Sequence, residues 1–294
     1  MQQAHPHYIL PVLSLLLSAT LWGLVWYPLR LLEAQGLQGL WLTLASYAAA
    51  LALGLVWLWR GRHDWRAQPV LLLLMTLAVG WCNVAFVLAV LDGTVVRVLL
   101  LFYLSPLWAL VLGWVFLREH PGSSGLLVFL LAIAGAVTML WDAEMGMPWP
   151  RDAADWLAVS SGLAFAFSNV MVRKMPGVSV QTKSAATWLG VVLVAGVWIA
   201  LADMAVPRVA LSTWAGAAVL GWFGFFVMSL AVIYGVSRMP VHRSAVILLF
   251  ELVVGAVSSL LLTDEQVLLQ EWLGGALILV AAYLAAHAHV REQR

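Results

Sequence analysis

Apolar runs of about 20 residues, separated by short stretches holding charge, Pro or Gly, repeat along the whole chain. In runs such as LLVFLLAIAGAV, from Leu126, no polar position alternates with the apolar ones. Only helices and closed β-barrels satisfy their backbone polar groups inside lipid, and barrel strands alternate apolar with polar positions. The pattern therefore predicts an all-α integral membrane protein. Its runs mark ten transmembrane helices, at 10–32, 38–59, 69–91, 94–117, 122–141, 153–174, 183–202, 211–237, 242–262 and 270–290. The connections are short, and no soluble domain fits between them. The opening MQQAHPHY holds no Lys or Arg, so it lacks the basic start of a signal peptide, and the first run stands as a span.

Composition sharpens this picture. Of 294 residues 64% are hydrophobic and 10% charged, with a mean hydropathy of +0.97. A soluble domain carries roughly 25% charge, so a soluble enzyme and a disordered chain are both excluded. The net charge of +1 offers nothing to a polyanion, and no nucleic acid is expected as a partner. Cys82 is the single cysteine and excludes an internal disulfide. No phosphate-binding loop, HExxH or GxSxG occurs, and no cofactor or metal site is expected.

The cations sort by loop. With both termini on one side, that side holds 11 of the 15 Lys and Arg residues and the other holds Arg30, Arg97, Arg151 and Arg208. The positive-inside rule then puts both termini in the cytoplasm. The sorting also checks the span count, because one missed helix would scramble every later loop.

The chain repeats itself. The fourth run, from Leu99, and the ninth, from Ser244, each carry a helix-perturbing or polar residue at mid-depth, Pro106 against Glu251. Each also closes on an acid, Glu119 against Asp264 or Glu265. TLWGLVWYPLR from Thr20 lies over LAFAFSNVMVR from Leu163 at the same offset of 143–145. Two repeats of five spans follow, 1–145 and 146–294. An odd span number inverts the second repeat, an arrangement recurrent in secondary transporters.

Here the chain resembles a known family. The Trp22–Gly23 pair, the stretch SPLWALVLGWVFLRE from Ser105 to Glu119 and the two-times-five layout resemble the drug/metabolite transporter superfamily, EamA type. Within it the size resembles bacterial metabolite exporters, including YddG-type aromatic amino acid exporters. The resemblance implies a bacterial-type inner membrane and a central cavity enclosed by spans 1, 3, 4, 6, 8 and 9. Spans 5 and 10 would then be a scaffold, and spans 2 and 7 peripheral. The ninth span departs from the pattern, since many members have Pro near the position of Glu251.

Glu251 is the sharpest single residue, a charge near the middle of a span, where such groups face a cavity or a partner. It could bind a substrate amine, couple protons, or brace its neighbours as a neutral hydrogen-bonded acid. Five of the 17 Trp lie deep, namely Trp22, Trp26, Trp81, Trp108 and Trp222, and none of these falls on spans 2, 5, 7 or 10. Such rings stack on flat or cationic solutes, or simply pack between helices. Asn83 and Asn169, both within spans, serve as substrate ligands or as interhelical hydrogen bonds. Tyr103, Ser105, Phe165, Ser168 and Tyr234 complete the cavity candidates. Pro106 interrupts the backbone ladder and is a gating candidate or a static kink. Arg97 is a snorkelling anchor or a carboxylate ligand, and His242 an anchor or a cytoplasmic gate.

The leading expectation is a secondary transporter that exports small organic metabolites by alternating access, amino acids including aromatic ones foremost. A proton-coupled exporter of lipophilic cations using Glu251 is the alternative. A lipid-acting membrane enzyme comes third, because the seven His all sit at ends, loops or tails. The oligomeric state is left open.

Overall fold

A computed structural model describes residues 9–93, 95–141, 150–262 and 268–292. Asp264 and Glu265, the acids expected to close the ninth span, lie outside the described residues. Among the described residues every regular element is helical. The helices in chain order are α1 (Leu10–Leu24), α2 (Trp26–Glu33), α3 (Gly39–Arg60), α4 (Arg62–Ala67), α5 (Pro69–Asp92), α6 (Val95–Phe102), α7 (Ser105–Leu112) and α8 (Ser123–Leu140). They continue as α9 (Ala153–Lys174), α10 (Val180–Leu201), α11 (Leu211–Val219), α12 (Phe226–Val236), α13 (Val241–Leu248), α14 (Phe250–Leu262) and α15 (Leu269–Glu292). Two π-helical stretches, Gly113–Leu117 and Leu220–Phe225, follow α7 and join α11 to α12.

Among the described residues seven segments are long and apolar enough to cross a membrane: α1–α2, α3, α5, α9, α10, α11–α12 and α13–α14. Three apolar stretches are shorter: Ser105–Leu117, Ser123–Thr138 and Trp272–His287. The protein is an integral membrane protein of helical segments.

Local chemistry explains where helices start and stop. The Asp152 side chain accepts from the Asp155 N–H at 2.9 Å and caps α9, whose last turn carries Arg173 and Lys174 against the helix dipole. The Ser179 hydroxyl caps α10 by accepting from the Thr182 N–H at 3.1 Å. Pro69 opens α5, where a missing N–H is harmless. Asp64 on α4 reaches the same α10 start, accepting from the Thr182 hydroxyl at 2.8 Å and the Ser179 N–H at 3.3 Å. Burial pushes the Asp64 carboxyl up, but these hydrogen bonds outweigh it and hold the group below its ordinary value of 3.8.

Packing is paired across the chain. The contact of α5 with α9 is matched by that of α12 with α1, and α5 with α10 by the Leu220–Phe225 stretch with α3. The contact of α7 with α9 is likewise matched by that of α14 with α1, while α3–α10 and α8–α15 pack as partners. The match reaches single residues. A Cβ added at Gly190 would strike the Thr76 carbonyl, and one added at Gly221 would strike the Ser46 carbonyl. Ser46 and Gly190 stand 144 residues apart, and Thr76 and Gly221 stand 145 apart. The same close approach of bare backbone, which small residues permit between membrane helices, thus occurs twice at one offset.

Candidate substrate cavity

Two helices break at matching places. The α-helical hydrogen-bond ladder is interrupted at Tyr103 and Leu104, between α6 and α7, and again at Leu249, between α13 and α14, although Leu104 and Leu249 keep right-handed helical dihedrals. Leu104 and Leu249 are 145 residues apart. Pro106 sits in the first turn of α7, directly after the break, where it starts a helix rather than bending one. Glu251 sits in the first turn of α14, where a carboxylate meets the positive end of the helix dipole. The Tyr103 hydroxyl donates to Glu251 Oε1 at 2.9 Å, so one hydrogen bond joins the two breaks. Glycines let neighbouring backbone close on both. A Cβ at Gly23 would lie 2.7 Å from the Glu251 carbonyl, and one at Gly162 would lie 2.6 Å from the Phe102 carbonyl.

A narrow cleft with room for about one water molecule opens beside this bridge. Six sequence candidates line it: Tyr103, Ser105, Pro106, Phe165, Asn169 and Glu251. The remaining wall is Phe102, Ala109, Ala166, Ala245, Leu248 and Leu249. Phe102 and Phe165 form an aromatic pair with ring centroids 5.8 Å apart. Asn169 is 7% exposed, yet its side chain makes no hydrogen bond among the described residues. Ser105 is likewise a buried residue whose hydroxyl makes no hydrogen bond there. Among the described residues Glu251 is hydrogen-bonded through Oε1 alone, which leaves Oε2 without a partner there. Leaving such groups unpaired is costly unless a ligand or water pairs them.

The other candidates lie elsewhere. Trp22 packs edge-on against Phe225. Trp26 Nε1 donates to the Ser258 hydroxyl at 2.9 Å, and Trp81 Nε1 donates to the Ser160 hydroxyl at 3.2 Å. Trp108 packs in the main core, its Nε1 buried without a partner among the described residues. Asn83 is used internally, donating to the Val79 carbonyl at 3.0 Å and accepting from the Tyr47 hydroxyl at 3.0 Å. Ser168 donates to the Phe165 carbonyl at 2.8 Å. Tyr234 lies under the Arg238 guanidinium, 3.7 Å from its ring centroid. His242 is buried at the start of α13. Arg97 belongs to α6, and its side chain lies outside the described residues. The expected absence of deep Trp from span 7 meets Trp188 on α10, fully buried and stacked on Phe226 at 4.8 Å.

One polar cluster escaped the sequence reading as a site. The Arg173 guanidinium donates through Nε to Glu119 Oε1 at 3.2 Å and through Nη1 to the Ser237 carbonyl at 3.1 Å. Glu119 Oε2 accepts from the Val241 N–H at 2.8 Å and so caps α13. Lys183, only 1% exposed, donates to the Val172 carbonyl at 2.9 Å, one of the four left open at the end of α9, and to the Ser237 hydroxyl at 3.2 Å. Arg118 takes the left-handed conformation (φ 57°) that lets the chain turn after Leu117 and delivers Glu119 to this cluster. On α9 and on α13 the cluster stands one turn beyond the cavity, Arg173 past Asn169 and Val241 before Ala245. The signal in sequence was Glu119, the acid that ends the SPLWALVLGWVFLRE stretch.

Fold and cavity together define a helical membrane protein of two repeats built around broken helices. The EamA-like transporter family model matches residues 9–141 and 152–286, and the chain belongs to that family. It is therefore a membrane transporter of small molecules, in a family of transporters rather than enzymes. Among solved structures, one described only as the crystal structure of a protein is similar over 96% of this chain and 97% of its own. Its TM-score is 0.76 and its identity 16%, which shows a shared fold. No curated protein matches in sequence.

Proposed function

We propose that this chain is a secondary transporter that exports small organic metabolites, amino acids including aromatic ones, across a bacterial-type inner membrane by alternating access. The observation that carries the proposal is the Tyr103–Glu251 hydrogen bond between two helix breaks beside an aromatic-walled cavity. Broken helices that meet at mid-depth are a recurring way to build a transporter's substrate site. The paired packing supports ten spans in two inverted repeats, 1–145 and 146–294, exchanging roles around that site. The charge sorting supports cytoplasmic termini, and the Glu119–Arg173 cluster would then close the cytoplasmic end. Export as the direction rests on the likeness to YddG-type exporters. Purified protein in liposomes is expected to move Phe and Leu across the bilayer; silence over a panel of amino acids and amines would refute the proposal.

A second reading, a proton-coupled exporter of lipophilic cations, is favoured by Glu251 itself, a carboxyl at the cavity with one oxygen unpaired. Under it, Glu251→Gln abolishes accumulation against a gradient. An unchanged pH dependence of transport in that variant would remove the coupling role.

A further inference from the structure

We infer that the cavity recognises its substrate by a protonated primary amine, held by Glu251 and Asn169, and that a substrate carboxylate is dispensable. The inference rests on the transporter reading above and names the substrate class of the same cavity.

The polar groups facing the cavity are few, and the one that carries charge is an acid. Glu251 offers an unpaired carboxylate oxygen, Asn169 an unpaired amide and Ser105 an unpaired hydroxyl. All three carry acceptor oxygens. An ammonium group brings three N–H donors and one positive charge, which matches three acceptors of which one is anionic. A carboxylate could accept from the Asn169 amide and the Ser105 hydroxyl but finds no charge partner. Among the described residues no Lys, Arg or His lines the cavity. Arg173, one turn beyond Asn169, is committed to Glu119 and to the Ser237 carbonyl, and Lys183 is committed to Val172 and Ser237. An anion placed in the cavity would meet Glu251 with no cation to offset it.

The wall supplies the rest of the substrate. Phe102, Tyr103 and Phe165 form a continuous aromatic surface, with centroids 5.4 Å apart between Phe102 and Tyr103. An aromatic surface takes either a flat ring or the cation itself. The Tyr103 hydroxyl holds Glu251 Oε1 in place and leaves Oε2 for the ligand, so Tyr103 is a positioning residue for the carboxylate. The described cavity is too narrow for such a ligand, so it must widen for the ligand to enter.

The test is a ligand series on the unaltered protein in detergent, read by titration calorimetry. Phenethylamine, phenylalanine and 3-phenylpropionate share one ring and side chain and differ only in charged groups. Phenethylamine is expected to bind at least as tightly as phenylalanine, and 3-phenylpropionate at least about thirtyfold more weakly than either, the scale for an unpaired charge at a buried site. Glu251→Gln is expected to weaken phenethylamine by at least about thirtyfold, and Asn169→Ala by a smaller factor. Binding of 3-phenylpropionate as tight as that of phenethylamine overturns the inference, and the unaltered protein alone can give that result. Phenylalanine binding with phenethylamine silent overturns the inference while leaving amino acid transport standing. Silence of all three ligands overturns the inference as well, and the liposome panel then decides the transporter reading separately.

Discussion

Two polar clusters one helical turn apart treat their hydrogen-bonding groups in opposite ways. At the end of α9, Glu119 uses both oxygens, on Arg173 and on the Val241 N–H, and Lys183 bridges Val172 to Ser237 although it is almost fully buried. At mid-depth, Glu251 uses one oxygen, and Asn169 and Ser105 use nothing. The first cluster has the signature of a structural tie, with each charge paired by protein groups. The second keeps buried capacity open, at a cost the fold tolerates where a ligand will make the missing bonds. On the proposed reading, adjacent groups of the same chemistry thus divide into those that hold the helices together and those that face cargo.

Substitutions should separate the two roles. The largest effect is expected for Glu251→Gln. Transport of an amine should fall by at least about thirtyfold, with the melting temperature in detergent nearly unchanged, because Gln can still accept from Tyr103. A large loss of melting temperature would move Glu251 into the structural class. Glu119→Ala should do the reverse. It strands the Val241 N–H and the Arg173 guanidinium and should cost about 2 kcal/mol of stability, since both partners are only partly buried. Thermal unfolding would read that loss, and calorimetry should find ligand affinity retained. Asn169→Leu removes an unpaired amide at nearly constant volume. Stability should stay level or rise by up to about 1 kcal/mol while amine affinity drops several-fold; a clear loss of stability would mean that the amide has a partner in the resting protein.

The smallest effect concerns Asp64, a tie of the first kind at the start of α10. Its carboxyl is harder to protonate in the folded protein than its ordinary value of 3.8 implies. Its contribution is therefore complete above that value and is lost as pH falls through the lower folded one. The group is largely exposed, so the contribution is small. Melting temperatures of the wild type and Asp64→Asn should differ slightly at about pH 6 and converge toward about pH 3. A gap that widened on acidification would contradict the assignment.

Much of the fold could be read from the chain because lipid leaves few choices. A run without charge must become a helix, and the ten expected spans begin and end within three residues of the helical segments described. The breaks could not be read the same way. Pro106, which lacks the N–H that would reach back to Phe102, marked the first break in sequence, but no Gly or Pro marks Leu249. Glu251 was legible because a lone charge in an apolar run demands an explanation. The deep Trp were not, because an indole packed between helices and an indole lining a cavity make the same sequence pattern. Trp22 packs on Phe225, while Phe102, which carries no polar signal at all, joins the cavity wall. Arg173 and Lys183 were read only as charges that orient the chain, and Glu119 only as the acid that closes a span and its motif. Their mutual reach depends on how four helices converge, which no local pattern encodes.

The central claim is that the space between the two breaks is where cargo sits. The most direct measurement is a structure of the protein with a ring-brominated phenethylamine, located by anomalous scattering. The bromine should lie against Phe102 and Phe165, with the amine nitrogen about 3 Å from a Glu251 oxygen. A fully occupied bromine elsewhere in the bundle, with Glu251 still bonded only to Tyr103, would contradict it.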